Sequence, residues 1–141
     1  MYRNILVPID SEGLSDRALE HAIGLSGALG SRLTLMTVAA DAHVTHEASS
    51  SEVPPSRAAR MFHRAAGRLR DAGVAFETCV YCGERMWEGI TMAADDHQCD
   101  LIVMASRGGE HMDGFVFGSV AASVVTRSHV PILVVKEPEE D

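Results

Sequence analysis

Five short apolar runs, each followed by a turn signal and all but the last by a stretch with helical spacing, constrain this 141-residue chain more than any other feature. The runs are Arg3–Ile9 (RNILVPI), Arg32–Val38 (RLTLMTV), Ala75–Tyr81, Asp100–Ala105 (DLIVMA) and Val130–Lys136 (VPILVVK). The first is apolar without alternation, which suits a strand buried on both faces. Between the runs lie four helical stretches. In the first, Ser15 is placed to cap, Asp16 sits in the first turn, and Ala18, Leu19, Ala22, Ile23, Leu25 and Leu29 follow helical spacing up to Gly30. The others span about Ser56–Ala72, ended by Gly73, then Glu84–His97, weakened by Gly89, and Ser119–Ser128. Strands alternating with helices predict an α/β fold, with a parallel sheet covered by helices on both faces. With no internal repeat or break, the expectation is one domain over residues 1–141. Residues 39–56 hold His43, His46, three serines (Ser49–Ser51) and Pro54-Pro55 and are read as a flexible connection; 137–141 are read as an acidic tail.

Composition removes several function classes. Apolar residues make up 46% and charged residues 23%, a globular balance. No apolar run approaches the ~20 residues that span a bilayer, and the stretch after Met1 is too short for a signal peptide, so a cytoplasmic protein with no membrane contact is expected. The net charge is −8. Arg57, Arg60, Arg64, Arg68 and Arg70 fall largely three or four apart and read as one solvated helix face, so no nucleic-acid partner is expected. Three cysteines argue against a disulfide framework. Cys79 and Cys82 have redox spacing but stand on a strand, where residues three apart point to opposite faces.

In open parallel sheets, ligands sit beyond the carboxyl ends of the strands, where the strand order reverses. The two loops to inspect are therefore Pro8-Ile9-Asp10 and Ala105-Ser106-Arg107-Gly108-Gly109, the second returning through Gly118-Ser119 into a helix. Glycines bring backbone N–H groups close to a ligand, and a helix N-terminus attracts an anion. On spacing alone, a phosphate loop and a plain loop with an N-cap serine are equally good readings.

Met104-Ala105-Ser106-Arg107-Gly108, nine further residues and Gly118-Ser119 resemble the nucleotide loop of universal stress proteins, whose pattern is Gly-x-x-Gly, nine residues, then Gly-Ser or Gly-Thr. Ile5-Leu6-Val7-Pro8-Ile9-Asp10 is similar to that family's opening strand, and Ser15–Ala22 to its first helix. Asp100–Met104 and Val130–Val135 are similar to its last two strands. The resemblance implies a three-layer, doubly wound sheet of the adenine nucleotide alpha hydrolase-like type, with five parallel strands in the order 3-2-1-4-5 and four helices. It implies binding of ATP or a related nucleotide (ADP or AMP) and a role in stress response. Pro8, Ile9 and Asp10 would lie beside adenine and ribose, Val38 would offer backbone hydrogen bonds to the adenine edge, Ala105, Arg107, Gly108, Gly118 and Ser119 would line the phosphates, and Met104 and Val120 would also belong to the nucleotide site. It also implies a homodimer, and an apolar fifth strand at a sheet edge points to pairing through Val130, Ile132, Leu133, Val134 and Val135. The protein partner is unspecified.

The sequence departs from the family pattern in three places. Ala105 replaces the first glycine, Glu110 and Asp113 bring negative charge into the loop, and Gly114 replaces an apolar residue. Carboxylates beside a triphosphate repel it unless a cation intervenes, so Mg²⁺ held by phosphate oxygens, with Asp10 as its protein contact, is expected. No residue is read as catalytic, and at most slow ATP hydrolysis is expected. Two other readings stand beside the nucleotide-binding one. An adenylating enzyme of related architecture would carry a Ser-Gly-Gly-x-Asp-Ser loop where this chain has Pro8–Gly13. An interaction module would have lost its phosphate site, as Glu110 and Asp113 suggest, although Gly108, Gly118 and Ser119 are intact. His43 with His46, and His97 with Cys99, lack a spaced third and fourth zinc ligand. His111 reads as an exposed loop residue, and Trp87, Met86 and Met92 as core or partner-facing.

Overall fold

The computed structural model describes residues 1–9, 16–39, 57–107 and 118–137. Their elements are β1 (Asn4–Pro8), α1 (Asp16–Leu29), β2 (Arg32–Ala39), α2 (Arg57–Ala72), β3 (Phe76–Cys82), α3 (Met86–Asp96), β4 (Leu101–Arg107), α4 (Ser119–Arg127) and β5 (Ile132–Glu137). All strand pairs are parallel, and the sheet order is β3-β2-β1-β4-β5. This is the doubly wound α/β sheet expected from the sequence. Four strands run further than the apolar pattern indicates, β3 by one residue to Cys82. Ala39, Ser106, Arg107 and Glu137, assigned above to loops or to the tail, continue ladders through the partners Ala39↔Cys82, Ser106↔Lys136 and Arg107↔Glu137. Backbone pairing with a neighbour sets those ends, and no side-chain pattern encodes it. The candidate cap Ser15, the expected helix start Ser56, the rest of the 39–56 connection and tail residues 138–141 lie outside the described residues.

Successive strand residues feed opposite layers. Ile5, Val7 and Ile9 of the β1 segment join Leu33, Leu35, Val80, Val103 and Val135 against Ala18, Leu19 and Ala22 of α1 and Phe62, Ala65 and Leu69 of α2. Leu6 joins Met36, Cys79, Tyr81, Ile102 and Met104 against Ile90, Ala93 and Ala94 of α3 and Ala121 and Val124 of α4. The period-2 pleat thus builds two cores from one sheet. The arginines of α2 do more than face solvent. Arg64 pairs with Asp16 at 2.8 Å and Arg68 with Glu20 at 3.7 Å, while Arg70 lies over the Phe76 ring at 5.7 Å. Such exposed pairs contribute only about 0–1 kcal/mol each, so the buried Phe62 and Leu69 anchor α2.

Two helices end as their glycines foretold: Gly30 and Gly73 both adopt φ +74°. α3 ends without a glycine. Gln98 takes the left-handed conformation (φ +56°), its N–H donates to the Asp95 carbonyl, and the Cys99 N–H donates to the Ala94 carbonyl. This six-residue closure stops the helix at Asp96, one residue short of the expected His97.

A polar network secures the end of the sheet opposite the candidate site. The Asp100 carboxylate accepts from the N–H groups of Arg3 (2.9 Å) and Asn4 (3.1 Å), Asn4 Nδ2 donates to the His97 carbonyl, and the Thr34 hydroxyl donates to Asn4 Oδ1. Cys99 is buried against this network. Burial pushes its thiol up to about 11, and Glu77 and Asp100 add to the effect while the Thr34 hydrogen bond opposes it. A raised folded-state pKa stabilises the fold fully below the ordinary thiol value and less as pH climbs towards 11. Urea midpoints should therefore fall between pH 9 and 11, by on the order of 2 kcal/mol in stability, and Cys99→Ala should remove most of that fall. Tyr81, also raised by burial and by its hydrogen bond to Asp96, acts in the same direction above pH 10 and remains in the variant. Equal falls in both proteins would exclude Cys99 as the source.

On β3, Cys79 is buried in the core and Cys82, the last residue of the strand, is exposed. Among the described residues no helix is long and apolar enough to cross a membrane.

Candidate functional site

The sheet opens between β1 and β4, where its order reverses. Alternate residues of β1 face opposite neighbours. The Ile9 N–H donates to the Met36 carbonyl of β2 at 2.8 Å, so residue 8 faces β4. The β1–β4 ladder runs through Ile5↔Leu101 and Leu6↔Ile102, and the next rung on that side needs an N–H from residue 8. Proline has none. Pro8 thus sits in a central strand, a place usually closed to proline, where lost pairing frees backbone of β4 at a switch point. The β1–β2 ladder continues to Pro8↔Met36, so the opening is one-sided.

The same alternation aims the backbone around the opening. The Met36 carbonyl faces β1, so the N–H and C=O of Val38 point the same way, beyond the end of β1. On β4 the Ile102 N–H donates to Pro131 beside β5, which turns the backbone groups of Val103, Ala105 and Arg107 towards β1. Strand polarity and register, not side chains, deliver these donors and acceptors to one crevice.

The N-terminus of α4 closes the β4 side of the crevice. Gly118 occupies the N-cap position with φ −62° and ψ 162°, and no side chain caps the helix. The N–H groups of the first turn, with the helix dipole behind them, suit an anion. The Gly118 N–H itself donates to Ser106 Oγ at 3.1 Å, and its carbonyl accepts from Ala122 at 3.0 Å. Buried Ser106 therefore ties the last turn of β4 to the start of α4. Ser119, expected to open the helix, is its first residue and is exposed, while Val120 and Met104 pack into the core beneath. Exposed Lys136, the register partner of Ser106, sits at the same end of the sheet.

Val38 forms the opposite wall. It is half-buried and packs on the α3–α4 core. Gly89 of α3 backs it so closely that a Cβ at residue 89 would lie 2.5 Å from Val38 Cγ2 and 3.5 Å from both Met36 Cε and Tyr81 Cβ. The glycine that weakens this helix on propensity is the point where it meets β2.

Pro8, Ile9, Val38, Met104, Ala105, Gly118, Ser119 and Val120 thus gather at the carboxyl end of the sheet around β1, β2, β4 and α4. The backbone of Arg107 joins them; its side chain, Asp10, Gly108, Glu110, His111, Asp113 and Gly114 lie outside the described residues. Sequence reading missed two contributors. Ser106 passed for one more loop residue, although a serine twelve residues before a Gly-Ser helix start is within reach of that turn. Gly89 carried the ordinary signal of a helical glycine, a close approach of another element. Of the remaining candidates, Met86 and Trp87 pack on the core, the indole stacking under Arg127 at 4.5 Å, and Met92 is exposed. Among the described residues no group of three or more His, Cys, Asp or Glu side chains is arranged to hold a metal ion; His43 and His46 are not among them.

Comparison with known proteins places this arrangement. The model of the universal stress protein family matches residues 1–136. Universal stress protein MJ0531 of Methanocaldococcus jannaschii is 26% identical over 147 residues, covering 100% of this chain and 86% of its own length. The solved structure of a universal stress protein in complex with cAMP superposes with a TM-score of 0.75 at 24% identity, covering 97% of this chain and 98% of that one. A universal stress protein from Archaeoglobus fulgidus in complex with dAMP gives 0.68 at 20% identity, covering 96% and 98%. A family match over nearly the whole length, on a fold shared with solved members of that family, leads to one conclusion: this chain belongs to the universal stress protein family.

Proposed function

We propose that the chain binds an adenine nucleotide in the β1–β4 crevice and acts as a stress-response regulator, not as a fast enzyme. The observation that carries this reading is the coincidence of two features built independently. A proline opens the sheet at its switch point, and the uncapped N-terminus of α4 faces the same end. The adenine edge meets the backbone of Val38, the ribose lies beside Pro8, Ile9 and Asp10, and the phosphates sit over Ala105, Arg107, Gly108, Gly118 and Ser119. That relatives of the same fold were solved with cAMP and with dAMP supports an adenine ligand. ATP with Mg²⁺ is the form proposed here, the cation offsetting Glu110 and Asp113, with Asp10 as its contact.

Titration calorimetry with ATP, ADP and AMP, each with and without Mg²⁺, tests the reading. Saturable binding of ATP that tightens at least tenfold with Mg²⁺ is expected. No binding of any of the three would turn the assignment to the interaction module.

The edge strand supplies the second part of the proposal. Leu133 is 38% exposed, and Ile132 and Val134 are half-buried, on a strand with a neighbour on one side only. Such an edge invites pairing with a second copy. Sizing with light scattering should give twice the 15.2 kDa chain mass, and Val134→Lys should return the protomer. A native protomer mass at micromolar concentration would exclude the dimer.

A further inference from the structure

We propose that Gly89 is a positioning residue that sets base discrimination in the nucleotide site, an inference that rests on the nucleotide-binding reading above. Val38 sits at the end of β2 with its N–H and C=O aimed past β1. Its side chain occupies the space that a Cβ on residue 89 would need, at 2.5 Å from Val38 Cγ2. Carbon atoms pack at about 3.5–4.0 Å, so a methyl group at residue 89 forces a displacement of about 1 Å or more. Three conditions direct that displacement into Val38. Valine is β-branched and stiff at χ1, so Cγ2 has little freedom to swing aside. Met36 Cε and Tyr81 Cβ lie 3.5 Å from the same point, closing the lateral routes. The α3 backbone is anchored to the sheet by its own Ile90, Ala93 and Ala94, buried in the same core as Met36 and Tyr81, so moving α3 away would open that core. The end of β2 beyond Pro8, paired with β3 but no longer with β1, is the part that gives, and with it the backbone pair that reads the base edge.

A hydrogen-bond pair reading a base edge weakens steeply as its angles degrade, whereas phosphate contacts at α4, on the other side of β1, do not depend on Val38. A change at Gly89 therefore alters the choice between bases more than the grip on phosphates. A purely structural glycine has another signature: substitution lowers stability and weakens every nucleotide alike.

The test is calorimetry with Mg-ATP and Mg-GTP on the native chain, Gly89→Ala, Val38→Ala and the double variant, with urea midpoints for each. Gly89→Ala is expected to weaken ATP about tenfold and to reduce the ATP-over-GTP preference by a similar factor. The double variant, which lacks Cγ2, is expected to recover most of the preference shown by Val38→Ala alone, a coupling that independent sites do not show. Should Gly89→Ala not fold, the double variant carries the test, and native-like preference relative to Val38→Ala supports the proposal. ATP and GTP weakening together, an unchanged preference, absence of rescue, or failure of the double variant to fold would each overturn it. If the native chain binds neither nucleotide, it is the nucleotide-binding reading that fails.

Discussion

The Gly118→Asp variant is expected to fold as stably as the native chain and to lose ATP affinity by two orders of magnitude or more. The two halves of this result have one cause. Gly118 is the N-cap of α4, and its φ of −62° and ψ of 162° suit any residue, so the glycine is not required by backbone conformation. Aspartate is among the preferred N-caps and gains a few tenths of a kcal/mol over glycine, with roughly 0.3–1 kcal/mol more from its charge at the positive end of the helix dipole. Its carboxylate caps the N–H groups that are proposed to receive phosphate. It also brings a negative charge to within about 4 Å of the phosphate oxygens, a repulsion of roughly 1–4 kcal/mol per charge pair at a protein surface. A hundredfold loss corresponds to about 2.7 kcal/mol, well inside that range. Calorimetry with Mg-ATP and urea unfolding on the same preparation check both halves. Lost binding with lowered stability would mean a damaged fold, and retained binding would remove α4 from the site.

The largest loss of stability is expected from Phe62→Ala, at about 3–5 kcal/mol. Phe62 is among the largest fully buried side chains, 2% exposed, and it fixes α2 to the sheet with Leu69 and two small alanines beside it. The rest of α2 carries five arginines and Asp71, and its ion pairs to α1 involve side chains that are largely exposed, such as Arg64 at 70%. Losing one such pair costs at most about 1 kcal/mol. Domains of this size hold only about 5–15 kcal/mol in total, so Phe62→Ala approaches the limit of folding while Arg64→Ala is nearly silent. With urea slopes of about 1–3 kcal/mol/M, the midpoint should fall by about 1 M or more for Phe62→Ala. A fall no larger than that for Arg64→Ala would show that ion pairing, not burial, holds α2.

Much of the architecture was legible because the two periodicities are local. The continuous apolar runs could only be strands covered on both sides, and Gly30 and Gly73 mark helix ends because an αL turn there suits glycine above other residues. α3 shows the limit of this reasoning. Gln98 takes the same conformation without glycine, because the hydrogen bonds to Asp95 and Ala94 and the buried Cys99 that follows hold it there. The extensions of β2, β3, β4 and β5 were illegible for a related reason, since their last residues are strands only by virtue of a neighbour.

The candidate site divides in the same way. The loop motif around Ala105, Arg107, Gly108, Gly118 and Ser119 was readable as sequence, as was the departure of Glu110 and Asp113 from what a triphosphate prefers. The roles of Pro8, Ser106 and Gly89 were not. Pro8 breaks a ladder only if residue 8 faces β4, Ser106 Oγ reaches Gly118 only across the crossover, and Gly89 matters only because Val38 lies against it. By itself, then, the sequence determined which segments are strands and helices, that the sheet is parallel, and which loop suits phosphate, because propensity, period and turn chemistry act over a few residues. The tertiary structure alone decided where the sheet opens, which backbone groups face the opening and how near α3 stands to Val38, because those depend on distances between atoms that the chain brings together from 12 to 96 residues apart.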